Sequence, residues 1–154
     1  MLGNELEIFR GPDNLLPDFA AAREASDRSR RSGKRRSTVL VVDDQRLIAD
    51  TLTDILNGNG YRATAAYNGH DALRLAEEIR PDYLLTDVVM PSMNGVELAI
   101  AIQTKYPETR IMLLSGQAGI ADILQQGRER GYEFNLVAKP IHPDRLMDHL
   151  KSLG

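Results

Sequence analysis

The sequence predicts an α/β domain, a doubly wound five-stranded parallel sheet with helices on both faces. Three observations carry this. Short apolar runs alternate five times with longer segments of helical periodicity, and such alternation builds right-handed βαβ units around a parallel sheet. The runs Val39–Val42, Tyr83–Leu85 and Ile111–Leu114 are continuously apolar, as in strands buried on both faces. Four strands end in polar residues of different types, namely Asp43-Asp44, Asp87, Ser115 and Lys139. Ligands of such sheets bind outside the carboxyl ends of the strands.

The bounds agree. A length of 154 residues fits one domain with a tail. An apolar fraction of 42% and a charged fraction of 27% are ordinary for a soluble globular protein. The chain has no cysteine, which excludes disulfides and thiolate metal sites. No apolar run approaches the roughly 18 residues of a membrane span. The first ten residues mix apolar side chains with acids and do not form a secretory signal. A cytoplasmic location is expected, with no membrane partner.

Charge divides the chain at residue 36. Residues 1–36 hold eight Lys/Arg and six Asp/Glu, a balance of +2, and residues 37–154 hold eleven and sixteen, a balance of −5. Residues 1–36 are expected to be a basic, flexible N-terminal extension, and 37–154 the folded domain. The basic residues Arg23, Arg28, Arg30, Arg31, Lys34, Arg35 and Arg36 lack interleaved aromatics, so nucleic acid is not the expected partner. Leu15, Leu16, Phe19 and Ala20–Ala22 could form one amphipathic stretch, too short to be stable without a surface to dock on.

Element by element, residues 38–43 read as a strand. Asp44 stands where it could cap the next helix, which carries Leu47, Ile48, Leu52, Ile55 and Leu56 on one face and stops at Asn57-Gly58-Asn59-Gly60. Residues 61–66 form a less apolar strand at a sheet edge. His70–Arg80 is a helix with Ala72, Leu73, Leu75, Ala76 and Ile79 inward, ended by Pro81. The central strand spans 82–87, a helix spans Gly95–Lys105, and a strand spans 110–114. A helix weakened by Gly127 falls within 119–130. The last strand is 134–138, and Pro143 opens a helix whose inner side is Leu146, Met147 and Leu150.

The strand ends define a chemistry. Three carboxylates on neighbouring strand ends repel and raise one another's pKa. A hard divalent cation such as Mg²⁺ would reconcile them, since it takes oxygen ligands. With a lysine nearby, the site would neutralise an incoming phosphoryl group, and Asp87 would be the nucleophile that forms an acyl phosphate.

The ordered set Asp43-Asp44, Thr86-Asp87, Met90-Pro91, Asn94-Gly95, Ser115-Gly116 and Lys139-Pro140 resembles the receiver domain of bacterial response regulators, the CheY-like family. The resemblance covers residues 38–153. It implies a flavodoxin-like strand order 2-1-3-4-5 and a role in two-component phosphorelay signalling. A sensor histidine kinase or phosphotransfer protein would phosphorylate Asp87. It also implies Mg²⁺ held by Asp43, Asp44, Asp87 and the Val89 backbone carbonyl. Ser115 would hydrogen-bond the phosphoryl group, Lys139 would contact it, and a cis bond would precede Pro140. The family's output face corresponds to about 119–153, for a downstream protein or a homodimer. No DNA-binding or catalytic output domain is expected after Gly154, so output is expected through this surface. The domain would not be an enzyme beyond its own phosphorylation and dephosphorylation. One position departs from the pattern: receivers carry Tyr or Phe three residues before the lysine, and this chain has Leu136 there, with Phe134 two residues earlier on the same strand face.

Other classes fit less well. A haloacid dehalogenase-type phosphatase needs a second acid two residues after the nucleophile, where this chain has Val89. Dinucleotide binding needs a glycine-rich turn after the first strand, where Asp43-Asp44-Gln45 stands. Ser115 has no nucleophile elbow, since Leu113 replaces the required glycine. His70, His142 and His149 read as surface residues. The alternative kept beside phosphotransfer is an interaction module of the same fold that works without phosphorylation.

Overall fold

In the computed structural model of the protein, residues 35–116 and 120–154 are described. The amphipathic stretch expected at 15–22 and most of the basic run lie outside them. Five strands alternate with five helices: β1 (Thr38–Val42), α1 (Arg46–Asn57), β2 (Arg62–Ala66), α2 (Gly69–Ile79), β3 (Tyr83–Asp87), α3 (Gly95–Lys105), β4 (Arg110–Ser115), α4 (Ala121–Glu129), β5 (Asn135–Ala138) and α5 (Pro143–Leu153). The strands pair in parallel in the order β2-β1-β3-β4-β5, so β2 and β5 are the edges. Among the described residues no helix is long and apolar enough to cross a membrane.

The pleat sends alternate residues to opposite faces. Leu40, Val42, Leu84, Ile111 and Leu113 face α2 and α3 in one buried cluster, joined by Ala72, Ala76, Leu98, Ala99 and Ile102. Val39, Val41, Leu85, Met112 and Leu114 face α1 and α5 in the other, with Ala49, Leu52, Leu56, Leu146 and Leu150. The three central strands are thus buried on both faces, which is why their sequences are continuous apolar runs rather than alternating ones.

Local signals set the helix ends. Asn94 caps α3 by accepting from the Glu97 amide while the Glu97 side chain accepts from the Asn94 amide, a reciprocal box in which the cap alone contributes about 1 kcal/mol. Asn68 caps α2 by accepting from the Asp71 amide. Arg80 ends α2 in the left-handed region at φ 42°, and Gly60 turns the chain into β2 at φ 93°. Gly127, expected to weaken α4, is buried where a Cβ would come within 2.9 Å of Val96 Cγ1, so its role is to let α4 approach α3.

The start of α1 departs from expectation twice. The residue at its N-cap is Gln45, with no side-chain cap bond, and Asp43 rather than Asp44 accepts from the Gln45 amide at 2.9 Å. The helix therefore begins later than a cap at Asp44 would make it. Leu47, expected on the inner face, is 71% exposed, and Ala49 takes an inner place.

The end of the sheet remote from these polar strand ends is tied by one carboxylate. Asp82 accepts from the Thr38 amide (2.9 Å), the Thr38 hydroxyl (3.1 Å) and the Arg35 guanidinium (3.1 and 3.4 Å). The Asp82 amide donates in return to Thr38 Oγ1 at 3.0 Å. Arg35, the first described residue, is thus already tied to the domain. At the same end the Arg110 guanidinium donates to the Leu153 carbonyl, holding the end of α5.

Candidate functional site

Strand parity assembles the site. Asp43 continues the side of β1 that carries Val39 and Val41, Asp87 the side of β3 that carries Leu85, and Lys139 the side of β5 that carries Val137. All three residues therefore lean to the α1/α5 side at the carboxyl end of the sheet. Lys139 Nζ lies 2.7 Å from Asp43 Oδ2 and 3.2 Å from Asp87 Oδ1. The cis peptide bond between Lys139 and Pro140 is present as expected, and the Lys139 amide donates to the Ser115 carbonyl at 2.9 Å. Ser115 is buried at the end of β4, beside Ala138 of β5.

Asp43, Asp44 and Asp87 each offer a carboxylate oxygen within 4.8 Å of the other two, with Asp43 and Asp87 buried and Asp44 exposed. Three hard oxygen donors at this spacing, one of them open to solvent, fit a Mg²⁺ ion that keeps part of its water shell. Val89 is half-buried in the loop that follows β3, between Val88 and Met90, which are both buried. The Val88 amide donates to the Leu114 carbonyl at 3.0 Å and the Val88 carbonyl accepts from Gly95 at 2.7 Å, so the segment after Asp87 is fixed at both sides of one residue.

Burial raises the Asp87 carboxyl above its ordinary value. The Lys139 charge opposes that effect, and the charges of Asp43 and Asp44 add to it. A buried carboxylate beside two others is disfavoured as an anion, and positive charge brought to the cluster relieves it.

Sequence reasoning singled out Gly95 with Asn94 but gave it no structural role. A Cβ on Gly95 would lie 2.0 Å from the Asp87 carbonyl oxygen, so only glycine lets α3 start this close to the strand that carries Asp87. The glycine was visible after Asn94, but the approach that requires it depends on two backbones meeting in space. In the same loop Ser92 sits in the left-handed region at φ 69°, and the Met93 amide donates to the Pro91 carbonyl at 2.7 Å across it.

Leu136, the departure from the family pattern, faces Leu113 in the sheet register and is 43% exposed. Phe134 precedes β5, packs on the α2/α3-side cluster, and stacks on Tyr132 with ring centroids 6.0 Å apart. His142 accepts from the Asp144 amide at the start of α5. His70 and His149 are exposed. Among the described residues, none of the three belongs to a cluster with metal-ligand spacing.

A family model described as the response regulator receiver domain matches residues 39–151. Among solved structures, the chemotaxis protein CheY4 of Vibrio cholerae is 28% identical with a TM-score of 0.70, covering 78% of this chain and 100% of that one. A two component transcriptional regulator AraC from Clostridium phytofermentans ISDg is 33% identical with a TM-score of 0.63, over 75% of this chain and 90% of that one. The receiver domain of the Francisella response regulator 1452 is 26% identical with a TM-score of 0.64, over 77% and 96%.

Proposed function

The chain belongs to the response regulator receiver domain family, and from that membership we propose that Asp87 is the acceptor of a phosphoryl group in a two-component phosphorelay. The observation that carries this reading is Lys139 standing between Asp43 and Asp87, with Asp44 beside them. The donor is a phosphohistidine on a sensor histidine kinase or a phosphotransfer protein. A carboxylate oxygen of Asp87 attacks the phosphorus, the P–N bond to the donor imidazole breaks, and the imidazole nitrogen leaves with the electron pair. The product is an aspartyl acyl phosphate. Water attacking the same phosphorus later breaks the P–O bond to Asp87 and releases inorganic phosphate.

Each group has a part in that sequence. Asp43, Asp44, Asp87 and the Val89 carbonyl would hold Mg²⁺, which would supply positive charge to the phosphoryl oxygens. The Lys139 ammonium supplies a second positive charge from the β5 side, and the Ser115 hydroxyl donates a hydrogen bond to a phosphoryl oxygen. The domain acts on no substrate other than its own aspartate. Output leaves through α4, β5 and α5, to a downstream protein or a second copy. The exposed Leu136 on edge strand β5 supports that surface. Position 119, where the output face was expected to begin, lies outside the described residues.

The test is incubation with acetyl phosphate and Mg²⁺, read by intact mass. The wild type is expected to gain one phosphoryl group and Asp87→Asn none. Equal labelling of the two would overturn the assignment. Unlabelled but partner-binding protein would favour the module that works without phosphorylation.

A further inference from the structure

α1 presents one face that the domain leaves uncovered. Leu47, Asp50, Thr51 and Asp54 recur at helical spacing along it. Leu47 is the most exposed large apolar side chain among the described residues. Asp50 and Asp54 are exposed below it, one turn apart. Partial desolvation against the helix surface, and then the Asp50 charge, hold the Asp54 carboxyl above its ordinary value. Asp50 also accepts from the Tyr67 hydroxyl, and Arg46 stacks on the Tyr67 ring, so the Arg46 cation is turned toward β2.

The chain enters the domain beside the far end of this helix. The Ser37 carbonyl accepts from the Arg62 amide at the start of β2. The next residue, Ala63, is bound through its amide and carbonyl to the side chain of Asn57, the last residue of α1. Moving outward from Arg35, the sequence is first basic and then apolar. Residues 23–34 hold Arg23, Arg28, Arg30, Arg31 and Lys34 against Glu24 and Asp27, and Leu15, Leu16 and Phe19 lie beyond. Moving up α1 from Asn57, the surface is first acidic at Asp54 and Asp50 and then apolar at Leu47. The two orders match. The distance from Asn57 to Leu47 is about 15 Å along the helix, and the residues from 23 to 34 can reach roughly 40 Å when extended.

We propose that residues 15–34 of the same chain dock along α1. In this arrangement Arg28, Arg30 and Arg31 run beside Asp54 and Asp50, and Leu15, Leu16 and Phe19 cover Leu47. The docked apolar part then ends beside Asp44, at the open side of the acidic cluster. The inference does not depend on phosphorylation of Asp87.

The chain has no cysteine, so the test is a pair of introduced ones in the full chain. Phe19→Cys with Thr51→Cys puts one thiol on the segment and one on the α1 face while keeping Leu47. Phe19→Cys with Arg128→Cys is the control, on exposed α4 at the opposite face of the sheet. Under mild oxidation the first pair should close an intramolecular disulfide about tenfold faster than the control, because docking raises the local concentration of one thiol at the other. Adding Arg28→Glu, Arg30→Glu and Arg31→Glu should bring that rate down to the control's. Equal rates for the two pairs, or a rate untouched by the charge reversal, would overturn the proposal. A disulfide joining two chains would also overturn it, by assigning the face to a second copy.

Discussion

Lys139 makes its shortest ionic contact to Asp43, at 2.7 Å, and not to Asp87, at 3.2 Å. Both oxygens of Asp43 are then engaged, Oδ2 by Lys139 and Oδ1 by the Gln45 amide. Truncating one partner of a buried ion pair leaves uncompensated charge. Lys139→Ala is therefore expected to cost about 3 kcal/mol of stability at neutral pH without metal, and Mg²⁺ should recover part of it. Thermal melts with and without Mg²⁺ measure both effects, and a variant as stable as wild type in both would contradict the pairing.

Asp87 gives the domain a pH dependence of definite sign. Its folded-state pKa is raised above the ordinary 3.8, chiefly by burial. As pH rises past that ordinary value, the unfolded chain releases this proton first, so stability falls until the folded-state pKa is passed and stays lower above it. Asp87→Asn should remove that loss and melt at a higher temperature than wild type at pH 7 without metal. A lower melting temperature for the variant would show that the aspartate is net stabilising.

Asp44 is exposed and makes no cap bond, unlike the sequence expectation. Asp44→Ala should then leave metal-free stability within about 0.5 kcal/mol of wild type while weakening Mg²⁺ binding clearly. Calorimetric titration beside a thermal melt separates the two. A loss near the roughly 1 kcal/mol of a helix cap, with Mg²⁺ affinity unchanged, would reverse the reading.

Two glycines should respond differently to alanine. At Gly95 the new Cβ meets the Asp87 carbonyl oxygen at 2.0 Å, a backbone atom that cannot rotate away. The cost should be at least about 3 kcal/mol, with loss of phosphorylation as Asp87 shifts. At Gly127 it meets the end of the Val96 side chain at 2.9 Å, and the gain in helix propensity of about 1 kcal/mol offsets part of the overlap. Denaturant melts of Gly95→Ala and Gly127→Ala should rank them in that order.

Coupling between the site and the α4-β5-α5 face should be weak. Leu136 is already 43% exposed, so moving it changes little surface and breaks no hydrogen bond. Partner affinity with and without beryllium fluoride should differ by less than about 100-fold, or roughly 2.7 kcal/mol. A larger shift that disappears in Phe134→Ala would assign the switch to the Tyr132–Phe134 stack instead.

The sheet was legible because strands buried on both faces leave continuous apolar runs. The residues that end them kept their relation to the sheet: Asp43, Asp87 and Lys139 lie on one side by parity alone. The first turn of α1 was less legible. Asp43 and Asp44 are equally competent caps, and nothing in the sequence says which oxygen meets the Gln45 amide. That choice fixes the helical phase, and with it the exposure of Leu47. The need for Gly95 was hidden for another reason: the atom it avoids belongs to a different element.

Asp82 has a consequence for which atoms reach the site at all. Its bonds to Thr38 pin the alignment of β1 against β3 at the end away from Asp43 and Asp87. Sliding one strand by a single position would turn every side chain on it to the opposite face. Asp43 would then give way to a neighbour that points elsewhere, and the three carboxylates would no longer meet. The identity of the acids at the working end is thus read out from a lock some five residues away, or about 16 Å along the strand. Asp82→Ala, which touches no ligand, would loosen the specification of the cluster and not its chemistry.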